Sequence, residues 1–71
     1  MAATRAILLK EARSIFASAG YDAASTEEIV KRAKVTRGAL YHHFRDKRAL
    51  FEAVVEQVAR EIAGSIDDGA A

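Results

Sequence analysis

Seventy-one residues carrying a formal net charge of +1, with 30% of them charged, describe a single small domain, and a chain of that size buries only about 60% of the surface it exposes when unfolded. The absence of cysteine excludes disulfides, thiolate metal sites and a cysteine nucleophile, and it fits a reducing cytosol. Arg5, Lys10, Glu11 and Arg13 interrupt the apolar residues between Met1 and Phe16, so neither a signal peptide nor a membrane span is read and a cytoplasmic protein without a membrane partner is expected.

Proline is absent and apolar residues recur with a period near 3.6 rather than 2, which predicts an all-α chain. The first helix is expected from about Thr4 to Ala19, with Leu8, Ala12, Ile15, Phe16 and Ala19 on its buried stripe. Gly20 then supplies a left-handed stop, and Tyr21 is placed to fold back onto that cap. Ser25-Thr26-Glu27-Glu28 has the spacing of a capping box, so a short second helix should run from about Thr26 to Ala33 with Ile29, Val30 and Ala33 inward. After a turn at Lys34 and Val35, Thr36 caps a third helix reaching about Phe44, held down by Leu40 and Phe44 four residues apart. Asp46 caps a fourth, from about residue 46 to Ala63 and roughly 27 Å long at ~1.5 Å per residue, whose stripe is Leu50, Phe51, Val54, Val55, Val58, Ile62 and Ile66. The far end of that stripe has no partner in the sequence, and Gly64 should begin its fraying, leaving a disordered end.

The charge of +1 conceals a dipolar layout. Lys31, Arg32, Lys34, Arg37, Arg45, Lys47 and Arg48 stand against Asp46 alone, so residues 31–48 carry +6, while residues 1–30 carry −1 and residues 49–71 carry −4. A basic middle between acidic flanks points to an anionic partner such as a phosphate backbone. The second and third helices, joined by a short turn and the latter basic, have the form of a helix-turn-helix. Projected at about 100° per residue, the third helix turns Gly38, Ala39, Tyr41 and His42 away from Leu40 and Phe44, with Arg37 at its exposed first turn and His43 at the flank. Small residues let a helix approach the floor of the major groove, and an arginine there can donate twice to guanine.

Other chemistries fit less well. His42 and His43 are adjacent, so their side chains diverge by about 100° and cannot readily share an ion. The serines lack a positioned base or an oxyanion motif, and Gly38 stands alone rather than in a phosphate-cradling loop. No enzyme activity, metal or cofactor is expected.

The run Gly20-Tyr21, Ser25-Thr26, Ile29, then Ala33-x-Val35-Thr36-x-Gly38-x-Leu40-Tyr41-x-His43-Phe44-x-x-Lys47-x-x-Leu50 resembles the N-terminal DNA-binding domain of TetR-family transcriptional repressors, most closely the AcrR-like branch. The resemblance implies an all-α fold: a three-helix DNA-binding bundle with a helix-turn-helix, plus a longer fourth helix leading out of the domain. It implies a domain over 1–64, with 65–71 the disordered end of a truncated chain whose regulatory domain is absent. It further implies a ligand-responsive repressor that binds a palindromic double-stranded operator as a homodimer, the dimer contacts and the small-molecule inducer site both lying in that absent domain. The competing expectation is a helical protein-interaction module without DNA binding.

Position by position, Thr36, Arg37, Gly38, Ala39, Tyr41, His42 and His43 match the family's recognition helix: Arg37 and Ala39 sit where base edges are read, Tyr41 and His43 where phosphates are gripped, and His42 is placed near the bases. Thr26 and Lys47 match phosphate contacts at the starts of the second and fourth helices. The chain departs from the common pattern at Val30, where a small alanine is usual, and at Lys34, where glycine is usual. A non-glycine residue held in a left-handed conformation at position 34 would be strained by about 1 kcal/mol.

Overall fold

Helix α1 (Ala3–Ala19) packs against each of α2 (Thr26–Ala33), α3 (Arg37–His43) and α4 (Lys47–Ala70), and α2 packs in turn on α3. The computed structural model describes the backbone of residues 3–70 and the side chains of residues 4–64, and all the described elements are helices. The core is built where the four meet: Leu8, Leu9, Ala12, Ile15 and Phe16 from α1, Ile29 and Ala33 from α2, Leu40 and Phe44 from α3 and its end, Leu50 and Val54 from α4, with Ala24 from a loop. At about 25 cal/mol per Å² of apolar surface removed from water, this cluster is the main stabilising term.

Two details of α1 correct the expected stripe. Leu9 is buried although it lies about 100° from Leu8, because three partner helices wrap a wider arc of α1 than a single stripe. Ala19, read as inward, is exposed: its angle is right, but it is the last residue of the helix and has outrun its partners.

The connections show local chemistry directing the chain. Gly20 takes φ +86° and its N–H donates to the Phe16 carbonyl at 3.0 Å, closing α1 in the left-handed cap expected of it. Tyr21 folds back, stacking on Phe16 with ring centroids 5.8 Å apart and meeting Phe51 of α4 edge to face at 5.0 Å. Ser25 caps α2 by accepting from the Glu28 N–H at 3.4 Å. The reciprocal half of the expected capping box is absent, since the Glu28 carboxylate instead lies 3.9 Å from Arg32.

At the helix-turn-helix corner, Lys34 adopts φ 59° and ψ 41° and is the one non-glycine residue of positive φ among those described. Its N–H donates to the Lys31 carbonyl at 3.2 Å and the Val35 N–H to the Val30 carbonyl at 3.1 Å. These are the two bonds of a Schellman motif, in which an apolar pair usually joins the C3 and C″ residues. Val30 and Val35 occupy those two positions at the edge of the core, so Val30 is half-buried rather than inward as expected, and its bulk serves the turn. Because the left-handed region is strained for a residue with a Cβ, Lys34→Gly is expected to stabilise the domain by about 1 kcal/mol, raising the melting temperature by roughly 4–8 °C. An unchanged or lower melting temperature in a circular-dichroism melt would contradict this.

Asp46 caps α4 by accepting from the Ala49 N–H at 2.8 Å. From there Leu50 and Val54 are buried and Phe51 and Val58 half-buried, whereas Val55 is 49% and Ile62 56% exposed, so the expected stripe splits into a packed and an open half. Ile66 and the side chains of 65–71 lie outside the described residues, as does Ala71 altogether. The helix backbone passes Gly64, where fraying was expected to begin, and continues to Ala70. Glycine costs about 1 kcal/mol in a helix relative to alanine, too little by itself to end one. Arg13 of α1 reaches Glu61 at 2.8 Å, and the hydrogen bond it donates holds the Glu61 carboxyl below its ordinary range. Both partners are exposed, so solvent screens the pair and it contributes little to stability.

Candidate nucleic-acid interface

Leu40, fully buried, and Phe44, 5% exposed, pin α3 to the core, and the Arg5 guanidinium lies 5.2 Å from the Phe44 ring centroid. The opposite face carries Arg37, Gly38, Tyr41, His42 and His43, all exposed, with Ala39 half-buried. Tyr41 is 45% exposed and is no part of the core. A Cβ added to Gly38 would meet only the Thr36 Oγ1, at 3.9 Å, so nothing inside the fold requires a glycine there. The absent side chain leaves room for whatever approaches from outside. His42 and His43 sit side by side, ring centroids 5.3 Å apart and nearly perpendicular, both open to solvent.

Three helix starts share one geometry. Ser25, Thr36 and Asp46 each accept, through a side-chain oxygen, from the N–H of the third helical residue: Glu28, Ala39 and Ala49. Each also accepts, through its backbone carbonyl, from the fourth: Ile29, Leu40 and Leu50. That leaves the first two amides of each helix turned outward, among them those of Thr26 and Glu27 on α2 and of Lys47 and Arg48 on α4. Such amides, with the positive end of the helix dipole, favour anions. The Thr36 hydroxyl oxygen is engaged as a cap through one lone pair, so its hydrogen and its second lone pair remain.

The structure brings Thr26 and Tyr41 together. Their hydroxyl oxygens lie 3.5 Å apart, bridging the first residue of α2 to the outer face of α3 beside the outward amides of α2. It does not bring Lys47 to that face. Its ammonium turns inward and donates to the carbonyls of Tyr21 at 2.7 Å and Ala24 at 3.1 Å, with that of Asp22 at 3.5 Å. Where a phosphate contact was expected of the Lys47 side chain, the carbonyls of the loop before α2 hold its ammonium. Sequence reasoning missed this because converging backbone carbonyls leave no signature in residue types.

Of the basic block, Arg32 and Arg48 face Glu28 and Glu52 at 3.9 and 3.4 Å. Lys31, Lys34, Arg37 and Arg45 are exposed and, among the described residues, form no ion pair. Four unpaired cations within fifteen positions of sequence give this stretch a local positive charge suited to a polyanion.

Residues 8–54, from the first buried leucine of α1 to the last buried valine of α4, match the family model described as bacterial regulatory proteins, tetR family. The chain belongs to the tetR family. Its similarity extends to the A-factor receptor protein of Streptomyces griseus, 44% identical over 50 residues that make up 70% of this chain and 18% of that protein. The HTH-type transcriptional repressor Rv1474c of Mycobacterium tuberculosis is 41% identical over 63 residues, 89% of this chain and 34% of that protein. The HTH-type transcriptional regulator UidR of Escherichia coli K12 is 43% identical over 54 residues, 76% of this chain and 28% of that protein. The chain thus spans between about a fifth and a third of the length of these curated relatives. The matched region of the family contains α2, the left-handed turn at Lys34 and α3 complete, so the helix-turn-helix lies wholly within it. No described helix is long and apolar enough to cross a membrane.

Proposed function

We propose that this chain binds double-stranded DNA by laying α3 in the major groove and that, in a dimer, it regulates transcription as a repressor in the cytoplasm. The observation that carries this is the outer face of α3: a side-chain-free Gly38 and a small Ala39 behind an exposed Arg37, with Tyr41 alongside. Such a face fits closely against base edges, where Arg37 can donate both fork hydrogens to guanine O6 and N7, and Ala39 can contact a thymine methyl. His42 lies nearer the bases and His43 nearer a phosphate.

The Thr26 and Tyr41 hydroxyls, with the outward amides at the starts of α2 and α4, grip the phosphates on either side and fix the register of the helix in the groove. Two copies of α3, about 34–36 Å apart, would read the two halves of a palindromic site. A small molecule bound in a regulatory domain would change that spacing and favour the state that cannot span successive grooves. Family membership, and the names repressor and regulator borne by the relatives, support the reading.

The test is the salt dependence of binding to duplex DNA. Phosphate contacts make affinity fall steeply with salt, whereas docking of a protein onto the apolar half of α4 would hardly respond.

A further inference from the structure

Lys47 is the first residue of α4, and its side chain crosses to the loop that precedes α2. A lysine ammonium has three N–H donors and no acceptor, and here carbonyls at 2.7, 3.1 and 3.5 Å surround it. It also stands 4.4 Å from the centroid of the Tyr21 ring, while Phe51, one turn further along α4, meets the same ring edge to face at 5.0 Å. One face of α4 therefore grips the loop twice, by its backbone and by its aromatic side chain.

The last carbonyl held, that of Ala24, immediately precedes the N-cap Ser25 and the groove-facing Thr26. Within the loop itself the described backbone bond is Ala24 N–H to the Gly20 carbonyl, which fixes none of the carbonyls that Lys47 holds. We propose that Lys47 is a positioning residue that locks the start of α2 to the start of α4, holding Thr26 and the outward amides of both helices in one register for the phosphate backbone. This rests on the DNA-binding reading above. The ammonium contributes by holding the loop, since a move onto a phosphate would leave its carbonyls without a donor. A compact ammonium can satisfy carbonyls converging on a point, whereas the planar fork of arginine cannot.

The experiment compares wild type, Lys47→Met and Lys47→Arg. Affinity for a mixed-sequence duplex of about two helical turns is measured across a salt series, at a temperature where circular dichroism shows each protein folded. Both variants are expected to lose affinity by about tenfold at low salt, as suits the loss of a charge-assisted hydrogen-bond cluster, and both to keep the wild-type salt slope. Amide shifts at Ala23 to Thr26 should move in both variants without DNA.

If Lys47→Met lowers the slope by about 0.9 and Lys47→Arg restores wild-type affinity, the ammonium is a phosphate contact and the proposal is overturned. Wild-type affinity and slope in both variants would overturn it equally. If Lys47→Met does not fold, Lys47→Arg decides alone, because arginine keeps the charge and loses only the clamp. Failure of the wild-type protein to bind the duplex at low salt would sink the DNA-binding reading itself, an outcome distinct from binding that is insensitive to position 47.

Discussion

Raising monovalent salt from about 50 to about 200 mM is expected to weaken binding to duplex DNA by roughly 40-fold, if three phosphates are each neutralised by one cation. The number follows from the surface. Lys31, Lys34 and Arg45 are exposed and unpaired among the described residues, while Arg37 is directed at a base, Arg32 and Arg48 have carboxylates beside them and Lys47 is turned inward. Each neutralised phosphate releases condensed counterions and adds about 0.9 to the slope of log affinity against log salt, so a slope near 3 is expected. The acidic stretch after this block, with a net charge of −4, should turn away from DNA and favour one docking orientation. A slope below about 1, measured by fluorescence anisotropy, would mean that the basic block is only a solvated surface.

Arg37→Ala is expected to relax sequence preference at a single base pair, costing about 1–3 kcal/mol against the preferred base and little against the others. Arg37 is exposed at the first turn of α3, next to a glycine whose missing side chain opens the way to the groove floor. A planar guanidinium there can make two parallel bonds to guanine, which an ammonium cannot, so Arg37→Lys should keep the salt slope and still lose the preference. The check is competition binding against duplexes altered one base pair at a time. A uniform loss on all sequences, with the slope reduced by about 0.9, would instead make Arg37 a phosphate contact.

Much of this fold is legible in the sequence because its decisive signals are local. Ser25, Thr36 and Asp46 each start a helix by bonding the amide three residues on, and Gly20 ends one by taking positive φ. Such choices depend on the residue and its immediate neighbours. The exposed side of α3 was equally readable, since fixing Leu40 and Phe44 inward determines where Gly38, Tyr41 and His42 go on a helix of 3.6 residues per turn.

The features that escaped depend on tertiary geometry. Leu9 is buried because three helices surround α1, and Ala24 because its loop is drawn under the core. Val30 is only half-buried because it serves the turn at Lys34. Lys47 reads from its residue type as a solvent-facing cation at a helix start, the usual place for a phosphate contact. Only the folded loop shows the carbonyls that hold it.

The outer face of α3, with the start of α2, is the surface expected to meet DNA. This is tested most directly by mapping backbone amide shifts as duplex DNA is added at low salt. The shifts are expected to concentrate at Thr26 and Glu27, along Thr36 to His43, and at the first amides of α4. Shifts confined to Val55 to Ile62 on the open half of α4, or none at Arg37 and Tyr41, would contradict it.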